Sequence, residues 1–202
     1  MFPIYKNTVT QQELYDALDY VNHSREKRAY YAQLVRRTPG LFPKVLTLLF
    51  QVDDPRSARA AWIAEFVCKE DISVILPHLD TFLTQLHTVH LDAAVRPVAK
   101  ICEYLTLSYY KELFLLSRKH IQAQHKELII ENCFDWLITD QKVAPQAYSL
   151  TCLYLLGTEY DWVHNELSLI MEANYEKGTA AYKARCRHMR EAIQKFKKRK
   201  RK

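Results

Sequence analysis

Glycine is scarce in this 202-residue sequence: Gly40, Gly157 and Gly178 stand far apart. Neither a GxGxxG nor a GxxxxGK loop can be built from them, which excludes dinucleotide and P-loop chemistry by the usual routes. Long apolar runs are missing as well, and none approaches the ~18 residues a membrane-spanning helix requires. Sustained alternation of apolar and polar residues, the mark of half-buried strands, is absent. No CxxC pair occurs, and the cysteines, Cys68, Cys102, Cys133, Cys152 and Cys186, are five in number. Each lies in an apolar helical pattern, which suits reduced, buried thiols better than a secreted disulfide framework. The N-terminal MFPIYKNTVTQQEL has no charged start followed by a hydrophobic stretch, so no signal peptide is expected. These absences lead to the expectation of a soluble, cytoplasmic protein without a membrane span.

What is present is an ordinary globular composition, 49% apolar and 26% charged. A chain of this length buries roughly 70% of its unfolded surface and needs neither disulfide nor metal to fold. The net charge of +6 is unevenly placed. Residues 178–202 carry eleven basic residues and one acid, leaving 18 basic against 22 acidic residues, or −4, in residues 1–177. The body is mildly acidic and the tail strongly basic.

Apolar residues recur at helical spacing. Ile75, Leu79, Phe82, Leu83 and Leu86 lie at offsets 0, 4, 7, 8 and 11, and Ala94, Val98, Ile101, Cys102 and Leu105 repeat those offsets. Both are one-sided stripes of period 3.6. Ile130, Cys133, Phe134 and Leu137 behave alike, as do Val143, Ala147, Leu150 and Tyr154, then Val163, Leu167, Ile170 and Met171, then Tyr182, Cys186, Met189, Ile193 and Phe196. Thr10 and Glu13 have the spacing of a capping box. Asp54-Pro55 places a capping carboxylate before a proline in a first helical turn. Thr38-Pro39-Gly40 breaks the chain, and Gly157 and Gly178 suit left-handed helix C-termini. The pattern predicts helices over 11–22, 25–37, 41–52, 55–69, 72–87, 91–105, 107–121, 124–138, 143–156, 159–175 and 178–197.

Short helices with short connections must pack mainly on sequence neighbours, as in arrays of helical hairpins. ARAAWIAEFV and VRPVAKICEYL share a pattern 37 residues apart, near the ~40-residue period of HEAT-type repeats. DDPRSARAAWIAEF and HLDAAVRPVAKICEYL resemble second helices of HEAT repeats in their leading Asp, their Ala/Val-Arg pair and their small residues. Pro77 within ISVILPHLDTFL resembles the proline that bends a first helix. ENCFDWLITDQKVAPQAYSLTCLYLLGTEYDW, with GTAAYKARCRHM, is similar to the end of small bacterial HEAT-like and DNA-alkylation-repeat-like proteins. The resemblance spans residues 40–197 and implies an all-α superhelix (an α-solenoid) of about five hairpins in one domain, 1–197. Residues 1–40 would be capping helices, 41–197 the HEAT-like repeats and 198–202 a flexible basic tail.

Catalytic signatures are weak. His87 and His90, and His120 and His125, offer no third ligand at a metal-site spacing, and HExxH and HxxEH are absent. No G-x-S-x-G occurs, and cysteines on core stripes are poor nucleophiles. Trp62, Asp135-Trp136 and Asp161-Trp162 resemble the tryptophan and carboxylate set of DNA-alkylation-repeat glycosylases. The acidic body opposes a phosphate-binding groove, and Trp136 and Trp162 read more simply as core anchors. The expectation is a non-enzyme without cofactor or metal.

The clearest non-core feature is the C-terminus. Lys183, Arg187 and Arg190 form one basic stripe, continued by Lys195, Lys197, Lys198, Arg199, Lys200, Arg201 and Lys202. Such a run repels itself and is expected to fray into an arm; it either attracts phosphates and acidic surfaces or only solubilises. Arg25, Lys27, Arg28, Arg36 and Arg37 interleave with Tyr30 and Tyr31 as in single-strand binders, though a solvated helix face with tucked-in tyrosines is the preferred reading. Arg59 and Arg96 read as ladder residues paired with loop acids such as Asp54 and Asp92. The expected function is a scaffold or adaptor binding a protein or peptide on a concave face. A nucleic-acid-binding solenoid using the basic terminus is the alternative.

Overall fold

The computed structural model describes residues 9–139 and 141–200. Among them lie eleven α-helices and no strand: α1 Gln11–Ala17, α2 Arg25–Arg37, α3 Leu41–Leu49, α4 Arg56–Glu70, α5 Leu79–Leu83, α6 Asp92–Tyr110, α7 Leu115–His120, α8 Ala123–Ile138, α9 Val143–Leu156, α10 Asp161–Ala173 and α11 Ala180–Lys200. The Thr10 hydroxyl accepts from Glu13 N at 3.1 Å while the Glu13 carboxylate accepts from Thr10 N at 2.9 Å, which completes the capping box. Asp54 accepts from Arg56 N at 2.8 Å and opens α4 as expected. Gly40 sits at φ +73° before α3, a backbone region that glycine enters without steric cost.

The helices α2, α4, α6, α9 and α11 form a row, each packed on the next. The others attach to it: α3 to α2 and α4, α7 to α6, α8 and α10 to α9, with α1 on α3 and α5 on α8. Helix α9 is embraced by α6, α8, α10 and α11, so its buried residues are not one stripe. Pro145, Ser149, Cys152, Leu153, Leu155 and Leu156 join Leu150 in the core, while Val143, expected inside, is exposed. A helix surrounded by helices is apolar all round. All five cysteines are free and buried.

Three helical boundaries depart from the sequence pattern. The segment expected as one helix over 72–87 is α5 flanked by 3₁₀ turns at Ile72–Val74, Leu76–His78 and Leu86–Thr88. Pro77 cannot donate to the ladder, and the Asp71 carboxylate takes Ser73 N at 3.0 Å in a local turn. Ile75, Leu79, Phe82, Leu83 and Leu86 remain buried, because the turns keep the apolar side inward. The expected break at 106 does not exist: α6 runs on to Tyr110 and stops near Leu113, whose φ is +52°. The last helix extends to Lys200, three residues past the expected end at 197. Its repulsion is relieved on α10, where the Asp161 carboxylate holds Lys200 Nζ at 2.6 Å and Asn165 Oδ1 accepts from Lys197 at 2.8 Å.

The other glycines act by their size. Gly157 caps α9 at φ −65°, not in the left-handed region, and Gly40 is the only positive-φ glycine among the described residues. A Cβ on Gly157 would meet the His164 ring at 2.1 Å, and one on Gly178 the Tyr182 ring at 2.4 Å. Both positions need an absent side chain, not an unusual backbone.

Candidate binding face

Pro97 lies inside α6 and withholds the N–H that would bond the Ala93 carbonyl. The Trp62 indole, reaching across from α4, donates to that carbonyl at 2.8 Å. Trp62 is thus fixed edge-on, 9% exposed, with the His23 ring over it at 4.7 Å. The carbonyl that the proline leaves without its helical donor is met from α4, and this pairing joins α4 to α6.

From that point a chain of charged and aromatic side chains crosses the row. On α2, Arg28 lies over the Phe66 ring at 4.7 Å and donates to the His23 carbonyl at 2.9 Å. Between α4 and α6, Arg96 grips Glu65 with both terminal nitrogens, at 2.6 and 3.2 Å. Tyr148 of α9 lies beside Arg96, and Lys100 of α6 sits over the Tyr148 ring at 4.4 Å and the Tyr104 ring at 4.9 Å. Lys100 also holds Glu103 at 2.5 Å. On α11, Arg185 donates to Thr151 Oγ1 at 2.8 Å and lies 4.0 Å from Glu103. Burial and the charges of Glu65 and its neighbours push the Tyr104 phenol up to about 12, so that ring stays neutral, and both tyrosines present π faces to Lys100.

The carboxylates Glu65 and Glu103 are 7% and 5% exposed, whereas the Lys142 side chain is 74% exposed and pairs with Asp92 at 3.0 Å. Between α2, α4, α6 and the start of α9 lies a cavity of about 500 Å³ lined by His23, Arg28, Trp62, Arg96, Lys142 and Pro145 among others. Burial, with the charges of Arg96 and Arg25, lowers the pKa of Arg28 even though Glu65 lies near. The cation there is partly stripped of water, and Glu65, the carboxylate that acts on it, is already held by Arg96.

The basic stripe of α11 is placed differently. Lys183 and Arg190 lie over the Tyr175 ring at 5.5 and 5.2 Å, and Arg187 donates to its hydroxyl at 3.1 Å. These three cations gather on one ring of the α10–α11 connection. Lys195 and Arg199 line a smaller cavity of about 270 Å³ with Tyr154, His188, Glu191 and Phe196. Lys198 is exposed, Lys197 and Lys200 face α10 as described above, and Arg201 and Lys202 lie outside the described residues.

Several sequence expectations need correction. Arg59 does bridge elements, but its partner is Asp19 at 2.9 Å, and that of Arg96 is Glu65. Asp54 and Asp92 instead bind Tyr15 and Lys142; Arg59 reaches the 3₁₀ turn Leu18–Tyr20 after α1, and Arg96 reaches across to α4. Trp162 is not a core anchor: it is 55% exposed and stacks on Phe134, while Val163, His164, Leu167 and Met171 fill the core. Trp136 is buried as expected. On α2, Tyr31 is tucked in and Tyr30 is 44% exposed.

The histidines singled out above stand apart. His125 accepts from Gln122 N through Nδ1 and pairs with Asp80 through Nε2 at 2.9 Å, His120 bonds the Leu116 carbonyl and His90 that of Thr88. Among the described residues no group of three His, Cys, Asp or Glu side chains is placed to hold a metal ion, and no helix is long and apolar enough to cross a membrane. Glu65 and Glu103, the two buried acids of the row, were not singled out from sequence; both lie at core-facing positions, and a carboxylate there was the available signal.

Comparison of the chain with protein-family models, with curated proteins and with solved structures finds no match in any of the three.

Proposed function

We propose that the chain is a HEAT-like α-solenoid of five hairpins, α1–α2, α3–α4, α5–α6, α8–α9 and α10–α11, and that it serves as a non-catalytic scaffold. The second helix of each hairpin lines the concave face, and a protein or peptide segment binds along it. The observation that carries this reading is the chain of cations and aromatic rings, from Arg28 and Phe66 through Arg96, Tyr148 and Lys100 to Arg185, supplied by the five helices of the row. Rings and long cations supply contact area and hydrogen bonds without convergent acid and base groups, which suits recognition rather than turnover.

Selection of displayed 12-residue peptides on the full chain tests it. The expected result is convergence on a motif whose binding is weakened by Tyr148→Ser and by Lys69→Glu, Lys69 being an exposed cation of α4 that lies over the Phe66 ring at 5.7 Å. Binders indifferent to both substitutions, or no enrichment at all, would overturn the reading.

A second reading, a nucleic-acid-binding solenoid, draws on α11, where Lys195, Lys198 and Arg199 stand exposed on a continuous helix. Deleting residues 195–202 should then abolish salt-sensitive retention on both heparin and DNA. Retention on DNA unchanged by the deletion would remove the terminus from that mechanism.

A further inference from the structure

The cavity beside Trp62 has a charge surplus of one. Arg96 is matched by Glu65, held by two hydrogen bonds, and Lys142 by Asp92. Arg28 meets the His23 and Ser24 carbonyls and the Phe66 ring, groups that accept its hydrogens without cancelling its charge. The Lys142–Asp92 pair is exposed on both sides, and such pairs hold together by little, so Lys142 can turn toward a better anion. The walls are of another kind: the Trp62 and His23 rings on one side, Ala93, Ala144 and Pro145 on the other. A ligand matched to this cavity carries one anionic head for Arg28 and Lys142, and a short apolar stem to lie against Trp62.

We infer that the cavity is the anchor point for a glutamate or aspartate side chain of an acidic partner segment. The inference rests on the reading of the row as the binding face and names the chemistry that face selects. A carboxylate entering here forms charge-assisted hydrogen bonds with a guanidinium already fixed by its carbonyls and ring, so little side-chain freedom is lost. Its methylene groups cover the indole face. Farther along the row Lys100 and Arg185 share the single carboxylate of Glu103, so positive charge is in excess there too; what sets the α2 end apart is the cavity, where Trp62, Ala93, Ala144 and Pro145 offer an apolar wall beside the cations.

The test is the fluorescence anisotropy of a labelled N-acetyl hexaglutamate amide titrated with the full chain at low salt, alongside the hexaglutamine peptide and a single-stranded oligonucleotide of equal charge. Hexaglutamate is expected to bind and hexaglutamine not to. Arg28→Gln and Lys142→Gln are each expected to weaken binding, the double substitution by at least about tenfold, the worth of a charge-assisted hydrogen bond. Lys142 is exposed enough that its variant folds as the parent does, so a failure of Arg28→Gln to fold leaves the test intact. Hexaglutamate binding unchanged in both variants, yet weakened by Tyr148→Ser, would overturn the anchor and leave the binding face standing. Binding lost only on deletion of residues 195–202 would overturn both. Absence of hexaglutamate binding would overturn the anchor, and tighter, Arg28-dependent binding of the oligonucleotide would replace the acidic segment by nucleic acid.

Discussion

Gly157→Ala should destabilise the protein, against the usual direction of a glycine-to-alanine change in a helix. The backbone there is ordinary, at φ −65°, so alanine would otherwise gain about 0.4–1 kcal/mol by stiffening the unfolded chain. The new methyl would lie 2.1 Å from His164 Cδ2 and 2.5 Å from Nε2. His164 is 1% exposed, stacked near Tyr154 and edge-on to Phe196 of α11 at 5.4 Å, so the ring cannot swing away without lifting α11. Moving it also breaks the 2.8 Å bond from Nε2 to the Tyr154 carbonyl. Overpacking costs about 1–3 kcal/mol and a stranded buried polar group a further ~1–3 kcal/mol. The net expectation is a loss of roughly 1–5 kcal/mol, read from urea unfolding followed by circular dichroism. Adding His164→Ala should recover part of that loss relative to His164→Ala alone, since the clash is then gone. A Gly157→Ala protein as stable as the parent would refute the packing argument.

Trp62→Phe should cost about 0.5–1.5 kcal/mol, the net worth of the hydrogen bond lost from the Ala93 carbonyl, and Pro97→Ala should be better tolerated in that background than in the parent, because the introduced alanine restores the missing N–H; equal effects in both backgrounds would sink the argument. His164 is neutral in the fold, donating through Nε2 with Nδ1 unpartnered, and burial lowers its pKa. The unfolded chain therefore takes up this proton first, near its ordinary pKa of ~6.5. Stability is complete above about pH 6.5 and falls as pH drops below it, by at most ~1.4 kcal/mol per pH unit for this one group; His164→Gln should flatten a urea-midpoint profile below about pH 6.5, leaving the contribution of His78, whose pKa burial also lowers. The five buried thiols, with burial raising the pKa of Cys68, Cys102, Cys152 and Cys186, should be silent to a thiol-specific chromogenic disulfide in the native protein, and all five should react in urea. A fast native phase would show that one helix opens readily.

Much of the helical fold was legible because local rules acted without opposition. The Thr10–Glu13 box, Gly40 and the stripes of Ala94 and Ile130 depend on residues within a few turns of each other. Legibility failed where distant packing decided. A helix over 91–105 follows from its stripe despite Pro97, but that Trp62, on the preceding long helix of the row, replaces the bond Pro97 forfeits shows only once the two helices are packed. The glycine at 157 reads as a left-handed cap until the His164 ring is placed beside it. At the candidate face the basic residues of α2 and α6 could be picked out, but not that Glu65 claims Arg96 and leaves Arg28 uncompensated, since that depends on which helices adjoin. The α11 stripe was visible as a pattern, yet its convergence on Tyr175 required the turn between α10 and α11.

The most direct test of the account is to map where an acidic segment sits. In a ¹⁵N-labelled sample titrated with unlabelled hexaglutamate amide, the row predicts the largest amide and indole shifts at Arg28, Trp62, Arg96 and Lys142, tapering through Tyr148 toward Arg185. Shifts confined to residues 195–202, with the Trp62 indole unmoved, would contradict it.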